Sequence, residues 1–409
     1  MIYDLTEYLP EYAPDFWELI NRPEYEEAKK LMTTLDGRFF GFPLMVESSW
    51  GDSWMGPIIR TDWLEECGLN APVTYEDWEK VMVAFKDKYG CAFMPPITQF
   101  RMVGLASGAG AYASLNPRYY VDDDGVVKFG NVQEEYKSYL TTLNKWYEMG
   151  LIDTDFTTAN VSGVRAKALN NEVGITFGPT SLLMNLNKDA EAEKTGAVWG
   201  AIEYPRTAAG EPTSYVLGTR TGFNDANGCT VITKSCSEEQ LITALKLLNY
   251  GYTEEGINYW NYGTEGVSYT VDANGNVQWT ETMTGDAAGL NEALKKYCGL
   301  AGGGPSVQLD WYKRIKNTDA AVDALDKWAA NSDSATHTVP TILLTTDENS
   351  IYADKSAAIT TYVQASGLKF ITGEESLDNW DKYLEELDKL GLQECIELNQ
   401  ISFDRQMNK

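Results

Sequence analysis

The alternation of capped amphipathic helices with short apolar segments constrains the fold more than any other feature of this chain. Thr74 and Asp77 form a capping-box pattern, and the apolar stripe behind them ends at Gly90, which predicts a helix over residues 74–90. Apolar segments typical of strands lie at residues 39–45, 173–177, 198–202 and 229–233. Strands that alternate with helices in this way predict α/β layers.

Three further helices are predicted from the same signals. The first covers residues 134–150, with its apolar side chains on one face and a glycine at its end. The second begins at Ser237, where Gln240 completes a capping box, and the third follows Ser376. Such stripes are typical of helices that pack against a sheet or another helix.

Two hairpins are predicted within this α/β plan. Asp124 and Gly125 lie between two short apolar runs, and so do Asn274 and Gly275. Asn-Gly and Asp-Gly pairs supply the positive φ angles that two-residue turns require.

Length and charge limit the classes of protein that the chain can belong to. Its 409 residues exceed what one core supports and predict at least two domains. Lys and Arg number 33 against 60 Asp and Glu, and the net charge of -27 argues against nucleic-acid and anionic-membrane partners. Attraction of a cationic ligand stays open. No apolar run reaches the roughly 20 residues of a membrane helix, and residues 1–16 lack the regions of an export signal.

Cysteine and histidine point to no metal centre and no histidine-based catalysis. The six cysteines are scattered without a CxxC pair, so neither a zinc site nor a disulfide framework is indicated, although a Cys229–Cys236 bridge stays open. The single histidine, His337, lies in a Ser/Thr-rich stretch that predicts a loop or edge position. Neither a metal nor a cofactor is therefore expected.

Short motifs for phosphate binding and nucleophilic catalysis are not found in the sequence. It contains no GxxxxGK[ST], no GxGxxG after a strand and no GxSxG. The run from Asp122 to Asp124 lacks the alternating carboxylates and closing Glu of an EF-hand, and we interpret it as a solvated turn. A glycosidase needs only two carboxylates in a cleft, so that alternative stays open.

An aromatic and glycine-rich run follows the helix that begins at Ser237. Trp260, Tyr262 and Tyr269 alternate there with glycines that bend the backbone. These rings are too many for one solvated helix face, which favours a wall for a flat ligand. Packing into a core is the alternative interpretation.

Several segments, in order along nearly the whole chain, resemble the family 1 extracellular solute-binding proteins of bacterial ABC importers. They lie at residues 37–81 (which include RTDWL at 60–64), 143–153, 171–183, 245–266 and 369–405. The most specific matches are NYGTEG at 261–266 and FITGEESLDNWDKY at 370–383. The likeness is greatest to the large lipoprotein receptors of Gram-positive bacteria, many of which serve oligosaccharide importers.

The resemblance implies an α/β fold of the two-lobe, periplasmic-binding-protein (type II) kind, with ligand held in an interlobe cleft. Residues 1–45 and 206–300 would build the N-lobe, and residues 46–205 and 301–409 the C-lobe. Members of the family begin with a lipoprotein signal, a lipidated cysteine and the first βα units, whereas this chain opens at a segment like a later one. The expectation is therefore an incomplete N-lobe, because the chain is part of a longer gene; the alternative is that the lobe is completed differently.

The resemblance also supplies candidate ligand-binding residues. Glu47 follows a hinge-like strand, and Trp50 and Trp54 lie in a Gly/Ser-rich loop with no helical stripe to bury them. Pro179 and Thr180 stand where a strand gives way to a helix, so hydrogen-bond donors are expected to face the cleft there. The other candidates, which core packing would explain about as well, are Gln99, Phe100, Arg101, Trp260, Tyr262 and Glu265.

The implied function is that of an extracellular receptor without enzymatic activity. It would bind a carbohydrate, in particular an oligosaccharide, and deliver it as a monomer to the permease subunits of an ABC transporter. Aromatic platforms with polar partners suit sugars. A peptide, a polyamine or another small solute in the same fold is the first alternative, and a glycoside hydrolase is the second. The full-length form is expected at the cell surface as a lipoprotein.

Overall fold

The structure is a computed structural model, and it describes residues 1–46, 54–96, 102, 104–214, 229–286, 290–299, 304–309, 319–330, 334–340 and 342–407. The strands are β1 (Gly41–Val46), β2 (Met55–Arg60), β3 (Ala92–Met94), β4 (Tyr119–Val121), β5 (Val127–Phe129), β6 (Val173–Pro179), β7 (Trp199–Ala201), β8 (Cys229–Val231), β9 (Tyr269–Val271), β10 (Val277–Trp279) and β11 (Ser306–Gln308).

The α-helices alternate with these strands. They are α1 (Leu9–Tyr12), α2 (Pro14–Ile20), α3 (Glu26–Met32), α4 (Thr61–Cys67), α5 (Tyr75–Tyr89), α6 (Glu134–Glu148), α7 (Val161–Leu169), α8 (Thr180–Ala192), α9 (Glu238–Tyr250), α10 (Glu254–Tyr262), α11 (Glu281–Thr284), α12 (Leu290–Tyr297), α13 (Asp319–Ala329), α14 (Ser334–His337), α15 (Thr346–Thr372), α16 (Trp380–Lys389) and α17 (Leu392–Met407). This order confirms the predicted α/β class.

The chain forms two compact units, each built from segments that are distant in sequence. Unit 1 consists of Met1–Gly51, Thr219–Thr318 and Arg405–Lys409, and unit 2 consists of Asp52–Gly218 and Asp319–Asp404. The assignment of particular segments to an N-lobe and a C-lobe stays a prediction.

Unit 1 contains a three-stranded sheet in the order β11-β1-β8. The central strand β1 runs parallel to β11 and antiparallel to β8. Its core is aromatic: the Phe16 ring lies 4.9 Å from the Phe42 ring and 4.7 Å from the Tyr252 ring. The Tyr252 hydroxyl donates to the carbonyl of Pro43 at 2.5 Å, which fixes this ring on the central strand.

Unit 2 contains a four-stranded sheet in the order β3-β6-β2-β7. Strand β6 runs parallel to β3 and antiparallel to β2, and β7 pairs antiparallel with the far side of β2. All six residues of β2 are buried, as expected for a strand inside a sheet.

In helix α5 of unit 2, the capping residues and the buried face both match those predicted from the sequence. The Asp77 N–H donates to Thr74 Oγ1 at 3.3 Å, and the Thr74 N–H donates to Asp77 Oδ2 at 3.1 Å, which completes the predicted capping box. Gly90 ends the helix with φ of +71°. The predicted apolar stripe is fully buried and consists of Trp78, Val81, Met82 and Phe85.

The other predicted helices form with small differences at their ends. Helix α6 ends at Glu148, and Gly150 follows with φ of +66°. Helix α9 has the predicted capping box between Ser237 and Gln240. The helix expected after Ser376 begins with a 3-10 turn (Leu377–Asn379), so α16 starts at Trp380 and buries Tyr383 beside it.

Both predicted hairpins form, but their turns are not the expected two-residue type. Gly125 and Gly275 have φ of +79° and +85°, whereas the residues before them have negative φ. Each turn is completed by an aspartate side chain: Asp122 Oδ1 accepts the N–H of Asp124 at 3.1 Å, and Asp272 Oδ1 accepts the N–H of Asn274 at 2.8 Å. The aspartate stabilises a longer turn in which only glycine needs a positive φ.

Candidate functional site

The predicted binding residues divide into those that the structure describes and those that it does not. Glu47, Trp50, Gln99, Phe100 and Arg101 lie outside the described residues, so their predicted roles stay predictions. The others are Trp54, Pro179 and Thr180 in unit 2 and Trp260, Tyr262 and Glu265 in unit 1.

Trp54, Pro179 and Thr180 meet at one edge of the sheet of unit 2. Trp54 immediately precedes β2, and Met55 pairs with Pro179 in the antiparallel ladder. The Thr180 N–H points to the carbonyl of Trp54 at 3.4 Å. Residues that are separated by more than a hundred positions in sequence are thus neighbours in the fold.

Strands β3 and β6 are parallel, so both end at the side of the sheet where β2 begins. In the sequence, Gln99, Phe100 and Arg101 follow β3 after the Pro95-Pro96 pair, and they lie outside the described residues.

This edge presents an aromatic ring beside a helix terminus. The Trp54 side chain is 44% exposed, although most large apolar residues around it are buried. Helix α8 begins at Thr180 directly after Pro179, and no side chain caps its N-terminus. An exposed indole can stack on a flat ligand face, and the first N–H groups of a helix can donate to ligand oxygens.

Two side chains that sequence reasoning missed hold the start of β2. The Tyr204 hydroxyl donates to the carbonyl of Met55 at 2.5 Å, and Trp328 Nε1 donates to the carbonyl of Pro57 at 3.2 Å. Both side chains are almost fully buried. They lie 149 and 271 positions from the carbonyls that they contact, so no local pattern could have revealed them.

In unit 1, helix α10, which carries Trp260 and Tyr262, is bound to the end of strand β11. Parallel strands β1 and β11 pair Val46 with Gln308, so both end on the same side, and Glu47 follows β1 directly. The buried Asn261 side chain ties helix α10 to this end of β11, because its Nδ2 donates to the Val307 carbonyl at 2.8 Å and its Oδ1 accepts from the Leu309 N–H at 3.1 Å.

Most rings of the aromatic run in unit 1 pack against other residues of that unit. Tyr262 is only 5% exposed, and its ring lies 5.4 Å from that of Tyr269. Trp260 is half-buried against a small apolar cluster, and a Cβ at Gly299 would stand 2.4 Å from its ring. Glu265 is exposed in the turn that follows. Packing accounts for these rings, and their contact with ligand stays a prediction.

Among the described residues, the carboxyl groups with a shifted pKa are stabilised in the charged form. Hydrogen bonds to the carboxylate are the largest cause in each case and lower the pKa of Asp36, Glu66, Asp77, Asp122 and Asp272. A general acid of a glycosidase requires the opposite shift. Within the described ranges, no group of three or more His, Cys, Asp or Glu side chains is arranged to hold a metal ion.

All six cysteines are unpaired in the structure, so no Cys229–Cys236 bridge is formed. Burial raises the pKa of the Cys91 and Cys298 thiols to about 12. His337 lies at the edge of the β4–β5 hairpin, with Nδ1 2.7 Å from the Val121 carbonyl. It is the last residue of the short helix α14, beside this hairpin, rather than part of the predicted loop.

A cavity of about 650 Å³ lies elsewhere in unit 2. Its walls come from α6, the end of α15 and the start of α16, and include Lys137, Glu148 and Trp380. None of the predicted binding residues lines it, and its rim is acidic like much of the surface. In the part of the chain that the structure describes, no helix combines the length and apolarity needed to cross a membrane.

Comparison with known sequences identifies the class of protein. The sequence model of the family described as bacterial extracellular solute-binding protein matches residues 1–281, which is well over half of the chain. The chain therefore belongs to the bacterial extracellular solute-binding proteins.

The individual proteins that match this chain have low sequence identity to it. The chain is 24% identical over 437 aligned residues to the fructooligosaccharide ABC transporter substrate-binding protein FusA of Streptococcus pneumoniae, and the match covers 100% of this chain and 77% of FusA. It is 26% identical over 236 residues to lipoprotein LipO of Bacillus subtilis, with 52% of this chain and 44% of LipO covered.

Among solved structures, the alginate-binding protein AlgQ2 without calcium ion is similar, with a TM-score of 0.76 and 21% identity. This match covers 98% of the chain and 82% of AlgQ2. At this level of identity, the likeness establishes the fold, which is that of two-domain solute-binding proteins.

Proposed function

We propose that this protein is the receptor of an ABC importer and that its solute is a carbohydrate, in particular an oligosaccharide. The observation that carries the proposal is the exposed ring of Trp54 at the sheet edge of unit 2, next to the uncapped start of α8. The backbone of Trp54 is tied to the start of α8, because its carbonyl accepts the Thr180 N–H at 3.4 Å.

Sugars fit this arrangement for a chemical reason. A pyranose or furanose ring presents a face of C–H groups bordered by hydroxyls, so its recognition combines an aromatic surface with hydrogen-bonding groups around it. Trp54 supplies the surface, and the first turn of α8, with the Thr180 hydroxyl, supplies donors. Glu47, Trp50 and the segment 97–101 are proposed to add contacts.

The relatives support a carbohydrate over other solutes. FusA is a fructooligosaccharide-binding protein, and AlgQ2 binds alginate, which is also a saccharide. These two relatives differ in the sugar they bind, so they support the ligand class and leave the individual sugar to experiment.

The cellular role that we propose follows from membership of the family. The protein would act outside the cell, at the cell surface as a lipoprotein, and would deliver its solute as a monomer to membrane permease subunits. LipO, which resembles half of this chain, is itself a lipoprotein. We propose binding without turnover, because the family that the chain belongs to and its relative FusA are described as binding proteins.

A thermal-shift screen tests the proposal. The purified protein would be heated with fructo-, gluco-, galacto- and mannooligosaccharides, with uronic-acid oligomers, and with peptides and polyamines. A ligand that binds only the native state raises the melting temperature, and a free ligand concentration of 100 times Kd adds about 2.7 kcal/mol to the free energy of unfolding. The constituent monosaccharide at equal mass concentration controls for general stabilisation by sugars.

The outcomes separate the candidate functions. A rise in melting temperature with one class of oligosaccharide, and no product on chromatography, is the expected result. A rise with a peptide or polyamine alone would keep the receptor and overturn the carbohydrate. Cleavage of a bound glycan would overturn binding without turnover and identify a hydrolase.

A further inference from the structure

At the end of β2 next to Trp54, the strand has a pairing partner on one side only. Strand β6 pairs with β2 from Met55 to Ile59, whereas β7 pairs with it only from Ile58 to Arg60. One further backbone bond, from the Ile202 N–H to the Pro57 carbonyl at 3.2 Å, extends the β7 side by one residue. The first residues of β2 therefore lack a strand partner on that side.

The Tyr204 hydroxyl takes the place of the missing strand. Residues two apart in a strand direct their carbonyls to the same side, so the Met55 carbonyl points the same way as that of Pro57, beyond the end of β7. Tyr204 donates to it at 2.5 Å from a fully buried position. Without this donor, a buried carbonyl would lose its partner one residue from Trp54.

Tyr204 is itself held from several directions. Its ring lies 5.5 Å from that of Phe177 on β6. The next carbonyl, that of Pro205, accepts a hydrogen bond from Ser107 Oγ at 2.8 Å, and the Arg206 N–H donates to the Val73 carbonyl at 2.9 Å. The hydroxyl is therefore a fixed donor rather than a mobile one.

Trp328 supports the same strand two residues further on, at Pro57. Its indole N–H donates to the Pro57 carbonyl at 3.2 Å, and its ring covers Gly56 so closely that a Cβ there would stand 2.3 Å from Cδ1. By contrast, the bond from the Thr180 N–H to the Trp54 carbonyl is long, at 3.4 Å. The short contact at this end of β2 is the one from Tyr204.

We propose that Tyr204, assisted by Trp328, is a positioning residue that fixes the backbone from which the Trp54 ring projects. Its importance for solute affinity rests on the proposed function, in which Trp54 contacts the ligand. A preorganised ring loses less conformational freedom on binding than a mobile one, so the positioning contributes to affinity although Tyr204 does not touch the solute.

The test follows Trp54 directly in the ligand-free protein. In protein labelled with ¹⁵N-tryptophan, the indole N–H signal of Trp54 is assigned from its loss in Trp54→Phe. Tyr204→Phe removes one hydroxyl and is expected to shift or broaden that signal. Tyr383→Phe is the matched control, because the buried Tyr383 hydroxyl also donates to a backbone carbonyl, that of Asn131 at 3.1 Å. An unchanged Trp54 signal in folded Tyr204→Phe overturns the proposal.

A second variant covers the case in which Tyr204→Phe does not fold. Trp328→Phe removes the indole donor, and the Trp54 signal is expected to change less, because the Pro57 carbonyl keeps the Ile202 N–H. No change of the Trp54 signal in that variant would then overturn the proposal.

The affinity for the solute, compared with and without Trp54, separates positioning of Trp54 from a general structural role of Tyr204. Tyr204→Phe is expected to weaken binding of the identified oligosaccharide about fivefold, and to have no further effect in a Trp54→Ala background. An equal loss in both backgrounds means that Tyr204 does not act through Trp54. If the wild-type protein binds no saccharide, the proposed function fails, and the Trp54 signal of the free protein still decides the positioning role.

Discussion

At the scale of single residues, Trp54 combines exposure with a fixed backbone. Its side chain is 44% exposed, while the strand that follows it is buried along its whole length. The carbonyls of Trp54, Met55 and Pro57 are each bonded from a different segment of unit 2. Exposed aromatic residues on ordered strands are suited to recognition, because little conformational freedom is lost when a ligand binds.

We expect Trp54→Ala to weaken oligosaccharide binding by about 1–3 kcal/mol, because the stacking surface is lost. The free energy of unfolding should change little, since the ring is partly in solvent already. Isothermal titration calorimetry measures the affinity. Leu169→Ala is a matched control: Leu169 is also exposed in unit 2, but it precedes the opposite end of β6. Equal affinities of Trp54→Ala and the wild type would remove Trp54 from the site.

At the scale of secondary structure, the first and last residues of α5 are determined by capping residues at its two ends. The reciprocal cap between Thr74 and Asp77 satisfies N–H groups of its first turn, and Gly90 ends it in the left-handed region. The hydrogen bonds of the cap, first among them that from the Thr74 backbone, lower the pKa of Asp77. Helix α5 then buries Trp78 and Phe85 against the rest of unit 2.

Thr74→Ala should lower the free energy of unfolding by about 1 kcal/mol, because the side-chain acceptor of the cap is lost. Thr74→Ser keeps the hydroxyl and should lie close to the wild type. Urea denaturation followed by circular dichroism gives both values. A Thr74→Ala variant as stable as Thr74→Ser would show that the cap contributes nothing to the stability of the protein.

The same cap predicts a pH dependence. Because the folded pKa of Asp77 is lowered, its stabilising effect is complete above the unfolded pKa of about 3.9 and is lost as pH falls through the folded value. The stability difference between wild type and Asp77→Asn should therefore be largest near neutral pH and should shrink below about pH 4. A difference that stays constant down to pH 3 would contradict this assignment.

At the scale of the whole molecule, charge is the dominant feature. Each unit has its own sheet and core, and the net charge of -27 is carried by 409 residues with few compensating basic groups. Ion pairs such as Arg60 with Asp62 neutralise individual cations in unit 2, but the 60 acidic residues of the chain exceed its 33 basic residues by 27. Self-repulsion of this kind destabilises a compact state and is screened by salt.

The melting temperature should rise by on the order of a few °C between low and physiological salt near neutral pH, because counter-ions screen the repulsion. Differential scanning calorimetry at several NaCl concentrations measures the melting temperature. Near pH 5, where more carboxyl groups are protonated, the same increase in salt should have a smaller effect. A melting temperature that is independent of salt at neutral pH would show that repulsion is not a significant term.

The sequence by itself determined the local elements, because their signals are contained within a few residues. The caps at Thr74 and Ser237, the apolar strands and the positive φ at Gly125 and Gly275 were all predictable from neighbouring residues. The predicted two-residue turn type was wrong, because the aspartate side chain, rather than the glycine pair, completes each turn.

Only the tertiary structure decided which distant residues meet. It brought Trp54 beside Thr180, placed Tyr204 and Trp328 on the carbonyls of β2, and buried the ring of Tyr262 that the sequence left open as a ligand wall. The physical reason is that strand order and chain direction set these contacts, and both result from the packing of whole elements. A pattern confined to neighbouring residues carries information on which face of an element is apolar, but not on which element will cover it.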